Sequence, residues 1–465
     1  MHASASYSSE GVFLKTEPLS INKRIFYRKM LRLSLPIMLQ SLMLALVAAG
    51  DALMLGRIGQ NEMAAVSLAT QVQFVQNMFL LAIVTAGSIL GAQYFGKNDR
   101  HTMQELFHLM LRFGGAVSIL FFGLCELCPD LLMKIFTHDP VLIGIGITYL
   151  RIAGWSYLLT GISQCYLAMM KVSDHVKESA LISSAAVISN ILLNAVFIFG
   201  LMGMPRMEAA GAAVATTISR VIELGLCILI SFGPGYIRPA LRNLLKENRL
   251  LRGDFLRQCI PLLGGALLWG VGFTSYTAIM GHMGTDAAAA NSVSAVIRDL
   301  ICCACNGVAG AAGIMVGNEL GAGKLETGKR YGIMLKNISW VIGLGSAAVI
   351  LALTPLVTNA VILTEKAHGY LTGMMVIMAF YMIGRCVNTI TINGVIDGGG
   401  DTVFDMYSLA VCMWGIAIPV ALLGAFVFHW PVLAVYSCTC LDEVGKIPWV
   451  MVRFRKYKWV QDLTR

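Results

Sequence analysis

Charge is what this chain has least of. Only 13% of its 465 residues are Asp, Glu, Lys or Arg, about half the ~25% of an ordinary soluble domain, so a water-soluble globular fold is excluded. Histidine is sparse as well. The eight present are scattered without metal-ligand spacing, which argues against a membrane enzyme built on clustered His and carboxylates. The twelve cysteines form no disulfide framework. Cys302, Cys303 and Cys305, or Cys438 and Cys440, lie in apolar runs and read as small buried hydrophobes. Cys125 and Cys128 make a lone CxxC with no second pair. Gly398-Gly399-Gly400 lacks the Lys-Ser/Thr of a phosphate loop, so ATP coupling has no support and no cofactor is expected. The first 30 residues hold Lys15, Lys23, Arg24, Arg28 and Lys29 and no long apolar core. They read as a cytoplasmic tail rather than a cleavable signal.

What is present is long apolar sequence, 57% hydrophobic overall. A bilayer is crossed by ~20 apolar residues, and hydropathy predicts twelve spans at 31–57, 64–91, 105–128, 143–169, 178–200, 209–232, 256–281, 287–315, 333–358, 370–395, 405–428 and 431–452. Lipid demands that each backbone satisfy itself, so runs of this length are helices. The basic residues alternate by side. One side holds the N-terminal tail, Lys97, Arg100, Lys171, Lys177, the Arg238 to Arg257 segment, Lys324 to Lys336 and the C-terminal Arg453, Arg455, Lys456 and Lys458. The other holds little beyond Arg57, Lys134, Arg206 and Lys366. The positive-inside rule then places both termini in the cytoplasm of a cell (inner) membrane protein. Retention of Lys and Arg in loops accounts for the net charge of +9 and makes a nucleic-acid partner unnecessary.

The polar stretch 233–255 divides the spans into an N-terminal lobe at 31–232 and a C-terminal lobe at 256–452, flanked by tails 1–30 and 453–465. The lobes repeat. A gapless shift of 225 positions pairs Pro36 with Pro261, Gly56 with Gly281, Gly59 with Gly284, Ser67 with Ser292 and Gly96 with Gly321. Six spans per repeat make the repeats parallel, with substrate expected between them. The fold class is an all-α polytopic membrane protein with two pseudo-symmetric six-helix lobes.

Asp51 lies in the otherwise uncharged run 33–56. A carboxylate at a helix centre costs at least ~2.5 kcal/mol on insertion scales, and such a residue marks an ion, proton or substrate path. The bland alternative is an aspartate wetted at the helix end.

Several stretches resemble the multidrug and toxic compound extrusion (MATE) family. They are GDALMLGRIG at 50–59 with Pro36, AAVSLA at 64–69, AQYFGKND at 92–99, VGNELGAGK at 316–324, ISNILLNAVFIFG at 188–200, GAAVATTISR at 211–220, DGGGDT at 397–402 and RFRKYKW at 453–459. The resemblance covers nearly the whole chain and is nearer to the prokaryotic branch with the DNA-damage-inducible transporters. It implies a V-shaped pair of lobes and cation-coupled export of drugs or metabolites. It also implies that Asp51 binds Na⁺ or H⁺, the sole candidate metal position. Asn190 and Asn194 share one face of span five at i, i+4. At ~1.5 Å per residue they fall, with Thr216 of span six, at a depth similar to that of Asp51, where oxygen ligands suit a hard cation. Interhelical hydrogen bonding is the structural alternative. Several relatives carry an aspartate where Asn194 stands, so this site holds one carboxylate rather than two. The glutamate that some relatives place in span seven is missing.

Pro36 and Pro261 are candidate bending points. An Asp299–Arg385 pair is expected to neutralise two charges inside the C-terminal lobe. Gln40, Gln71 and Gln73 are candidate cavity residues, and Asp442, Glu443 and Lys446 are expected to pair at an interface. The leading functional expectation is a monomeric secondary antiporter, not an enzyme, that exchanges H⁺ or Na⁺ for organic compounds expected to be cationic. A lipid-linked-intermediate flippase, favoured by a strongly cationic cavity, is the second reading. A polytopic membrane enzyme is the third.

Overall fold

The computed structural model describes residues 22–240, 248–361 and 363–464, and within the first helix it leaves out the side chains at 48, 49, 51–53 and 56. The chain runs as α1 (Lys23–Gly56), α2 (Gln60–Gly96), α3 (Arg100–Leu127), α4 (Pro129–Phe136), α5 (Pro140–Val172), α6 (Val176–Phe199), α7 (Glu208–Ser231), α8 (Arg249–His282), α9 (Thr285–Gly321), α10 (Leu325–Ala360) and α11 (Glu365–Asn388), followed by α12 (Thr402–Leu409), α13 (Ile418–Leu422), α14 (Val432–Thr439), α15 (Leu441–Val444) and α16 (Ile447–Arg455). Helix starts carry local signals. Asn22 accepts from the amides of Arg24 and Ile25, and Asp99 caps α3 through the Thr102 amide and hydroxyl at 3.0 and 2.7 Å. Asp139 caps α5 just before Pro140 at its first position, where a missing N–H costs nothing.

Eleven helical stretches among the described residues are long and apolar enough to cross a membrane, in line with the first eleven expected spans. The twelfth differs. Residues 431–452 form three short helices broken near Cys440 and at Gly445-Lys446, with Pro448 opening α16. Proline cannot donate to the preceding turn, so it resets the hydrogen-bond ladder there. Two apolar spans also change winding. Residues Thr389–Ile396 continue α11 as a π-helix, and Ala410–Ala417 and Leu423–Val427 do so around α13. Pro36 and Pro261 lie inside α1 and α8, which continue through them.

Helices α1–α7 form one lobe and α8–α16 the other. The lobes meet where α1 and α2 pack on α8 and α9. Lipid supplies little hydrophobic drive between helices, so small residues that admit close backbone contact carry such seams. At the end of the molecule where α1 begins and α16 ends, the terminal face, a Cβ on Gly96 would lie 2.0 Å from the Asn318 carbonyl oxygen, and one on Gly321 would lie 1.9 Å from that of Gln93. Only glycine permits this crossing of α2 and α9. Lys29 reaches Glu319 across the same seam at 3.6 Å.

Candidate functional site

The N-terminal lobe carries a buried polar cluster between α6 and α7. Asn194 donates to the Asn190 side-chain oxygen at 3.3 Å, and Asn190 donates to the hydroxyls of Thr216 at 3.3 Å and Ser219 at 3.5 Å. Asn190 and Asn194 are buried, while Thr216 is half-buried and donates to the Ala212 carbonyl. The i, i+4 spacing and the matched depth thus bring these three residues together. Ser219, one turn below Thr216, joins them and was legible as the next polar residue on that face. Asp51 lies on α1, which packs along α6; its side chain is outside the described residues.

The C-terminal lobe carries charge instead. Arg385 on α11 donates to Glu443 on α15 at 2.6 Å, and Lys446 stands 3.4 Å from the same carboxylate. Asn388, one turn beyond Arg385, donates to both the Glu443 side chain and its main-chain carbonyl at 2.7 Å. The expected Asp299–Arg385 pair is therefore corrected. Asp299 pairs with its neighbour Arg298 at 3.0 Å and its side chain is 63% exposed, so it points away from the lobe interior. The interfacial reading of Asp442, Glu443 and Lys446 is also corrected: all three are buried. The breaks in the twelfth segment turn this acidic-basic run inward. Excess charge of either sign is thereby balanced within a membrane-embedded cluster, with Asn388 supplying further hydrogen bonds.

Between the lobes lies a cavity of about 470 Å³, within the ~300–1,000 Å³ range of small-molecule sites. Both lobes line it. From α2 come Leu81, Thr85 and Ser88, and from the end of α5 comes Lys171. The opposite wall offers Trp269, Asn306, Asn388 and the charged side chains of Arg385, Asp405, Glu443 and Lys446. Three bases and two carboxylates thus line it, beside an apolar and aromatic surface. Gln40, Gln71 and Gln73 are not on it. Gln40 is buried and donates to Ser183 at 2.6 Å, which ties α1 to α6. Gln71 is exposed and reaches only the Ser67 carbonyl at 3.5 Å, and Gln73 lies near it, toward the other end of α2. The lining face of α2 is 81–89, which single-sequence reading does not distinguish from its neighbours in a helix apolar all round.

Comparison with known proteins matches this architecture. The MatE family accounts for residues 36–196 and again for 261–423, a double match that begins at Pro36 and at Pro261. The chain belongs to the MatE family. Among its relatives, the transporter YisQ of Bacillus subtilis is 22% identical over 92% of this chain and 94% of its own length. The multidrug resistance protein NorM of Bradyrhizobium diazoefficiens is 26% identical over 85% and 86%. The fold matches the Vibrio cholerae MATE transporter VcmN with a TM-score of 0.86 at 14% identity, over 95% of this chain and 98% of that one. It also matches a MOP superfamily transporter from Pyrococcus furiosus, described as having a binding pocket of reversed polarity, with a TM-score of 0.78 at 18% identity over 93% and 97%. As a MATE protein the chain is a multi-pass membrane transporter of the multidrug and toxic compound efflux type and not an enzyme. Its two lobes are those of the MATE fold.

Proposed function

We propose that the protein is a secondary antiporter of the cell (inner) membrane, with both termini in the cytoplasm, that exchanges H⁺ or Na⁺ for organic compounds by alternating access and works as a monomer. The cavity carries this reading. It is walled by both lobes, and the Gly96 and Gly321 crossing brings α2 and α9 into backbone contact at the terminal face, so parting that seam as the lobes rock would expose the cavity alternately to each side. The basic loops cluster at the same face, which supports a cytoplasmic assignment. Asp51 is the proposed coupling carboxylate, working with the Asn190, Asn194 and Thr216 cluster. Ion binding there rearranges α1, α6 and α7 and lowers drug affinity. Trp269 and Asp405 on the cavity wall suit a flat organic cation, through its π-face and a carboxylate.

The deciding experiment is efflux of ethidium from proteoliposomes, with a pH gradient and a Na⁺ gradient imposed separately. Efflux driven by one gradient and lost in Asp51→Asn establishes antiport and names the ion. Full coupled efflux by well-expressed Asp51→Asn defeats the assignment. The three basic groups Lys171, Arg385 and Lys446 on the walls keep the flippase as the second reading. Translocation of a fluorescent isoprenoid diphosphate in place of ethidium favours it.

A further inference from the structure

Asp397 has no place in the machinery above. It follows the π-helical segment Thr389–Ile396 and precedes Gly398-Gly399-Gly400. Its exposure is 0%, and alone among the described residues it is a carboxylate with both oxygens buried and without a hydrogen-bond partner. The packing around it explains the burial. A Cβ on Gly398 would lie 2.8 Å from Gly313 Cα, and one on Gly399 would lie 1.9 Å from the Trp459 carbonyl oxygen. Backbone of α9 and of the C-terminal segment therefore packs directly on the two residues that follow Asp397, which is itself fully buried.

No cation compensates it. The charges acting on Asp397 are the carboxylates of Asp405 and Asp401. Arg453 is taken by Asp401, to which it donates twice at 2.7 and 2.8 Å. Lys446, Arg385 and Glu443 act on Asp405 rather than on Asp397. Burial first, and then those two carboxylates, hold the Asp397 carboxyl well above the usual carboxylate range. An isolated ionised carboxylate in such surroundings neutralises rather than remain charged. The neutralising species here is a proton, since a metal cation requires several oxygen ligands and this carboxylate has no bonded partner.

The position is also next to the transport path. Gly398 and Gly313 both line the inter-lobe cavity, as does Asp405. Gly398, which follows Asp397 in the chain, meets Gly313 at this wall, so a small separation of the Gly313–Gly398 contact is the route by which water would reach the carboxylic acid.

We propose that Asp397 is a proton-binding site of the C-terminal lobe that exchanges its proton with the inter-lobe cavity, so that the transporter carries a second proton besides any held at Asp51. Its part in coupling rests on the antiporter reading; its occupancy by a proton does not. Two measurements on the full-length protein separate these. Infrared difference spectra of nanodisc samples at neutral pH, wild type minus Asp397→Asn, should show the carbonyl band of one protonated carboxylic acid, shifted in D₂O. In proteoliposomes the H⁺:ethidium stoichiometry, read from the gradient at which flux reverses, should fall by one proton in Asp397→Asn. A folded variant that leaves the spectrum or the stoichiometry unchanged overturns the proposal. A band without any gradient-driven efflux keeps the proton site and sinks the antiporter reading. Because nothing donates to this side chain, both Asp397→Asn and the similarly shaped Asp397→Leu should fold. Failure of both means that an ionised, structurally required carboxylate sits there, which also overturns the proposal.

Discussion

Glu443 accepts from Arg385 and Asn388 and lies against Lys446, all within one buried cluster. Such a group is worth less than its single deletions suggest. Two charges removed from water lose hydration that their attraction only partly returns, whereas removing one partner strands the other. Arg385→Met should therefore lower stability by about 3–5 kcal/mol, because it takes the closest base from a carboxylate that is 3% exposed. The triple variant Arg385→Met, Glu443→Leu, Lys446→Met should be closer to wild type than Arg385→Met alone. Tryptophan-monitored thermal unfolding in detergent tests the order of the two, and a triple variant less stable than the single one contradicts it. The cluster also marks the limit of single-sequence reading at this scale. Arg385 within an apolar span needs a partner, but Asp299 and Glu443 are equally acidic, and charge alone does not say which faces inward. Glu443 reads as interfacial because it lies at the end of an apolar run. The break at Gly445-Lys446 that turns it inward leaves no trace in hydropathy.

Helices were the legible part. Each of the first eleven spans announces itself through ~20 apolar residues, and caps such as Asn22 and Asp99 extend the helices a turn or more beyond the apolar core. The faces were not legible, since a helix apolar all round has no stripe to read; hence Gln71 and Gln73 were expected where Thr85 and Ser88 stand. Asn190 and Asn194 succeeded because two polar residues at i, i+4 define a face by themselves. Glycine at the seam gives the sharpest element-scale prediction. A methyl at Gly321 would overlap backbone rather than a movable side chain, so α2 and α9 must part. Gly321→Ala should cost about 1–3 kcal/mol in the closed arrangement. In a Cys128→Ser background with Ser88→Cys as reporter, an impermeant maleimide added at the terminal face should label faster in Gly321→Ala. Equal rates would mean that the seam relaxes by other means.

At the scale of the whole molecule, the repeat offset of 225 positions places Gly96 and Gly321 opposite each other, so one seam serves both lobes. The chain adds a device that the repeat does not contain. Past Trp459, which is fully buried, the C-terminal segment crosses to the N-terminal lobe. The Leu463 amide donates to the Gln93 side-chain oxygen at 2.7 Å, and the Gln93 amide group faces the carbonyls of Gln461 and Gly398 at 3.3 and 3.4 Å. Gln93 belongs to one lobe and Gly398 to the other, so the segment bridges them on the closed side. Net intramolecular hydrogen bonds contribute roughly 0.5–1.5 kcal/mol each, and the two to Gln461 and Leu463 vanish if residues 460–465 are removed. The closed terminal face should then lose about 1–3 kcal/mol relative to the open one, a shift of roughly 5- to 150-fold in their ratio. Trp459 remains, so the helical core should keep its stability. Spin labels at Lys97→Cys and Lys324→Cys, at the ends of α2 and α9, report the separation directly in a Cys128→Ser background. The truncated protein should populate a longer distance that full-length protein lacks. Identical distance distributions would show that the glycine crossing and the Lys29–Glu319 pair hold the lobes together without the tail.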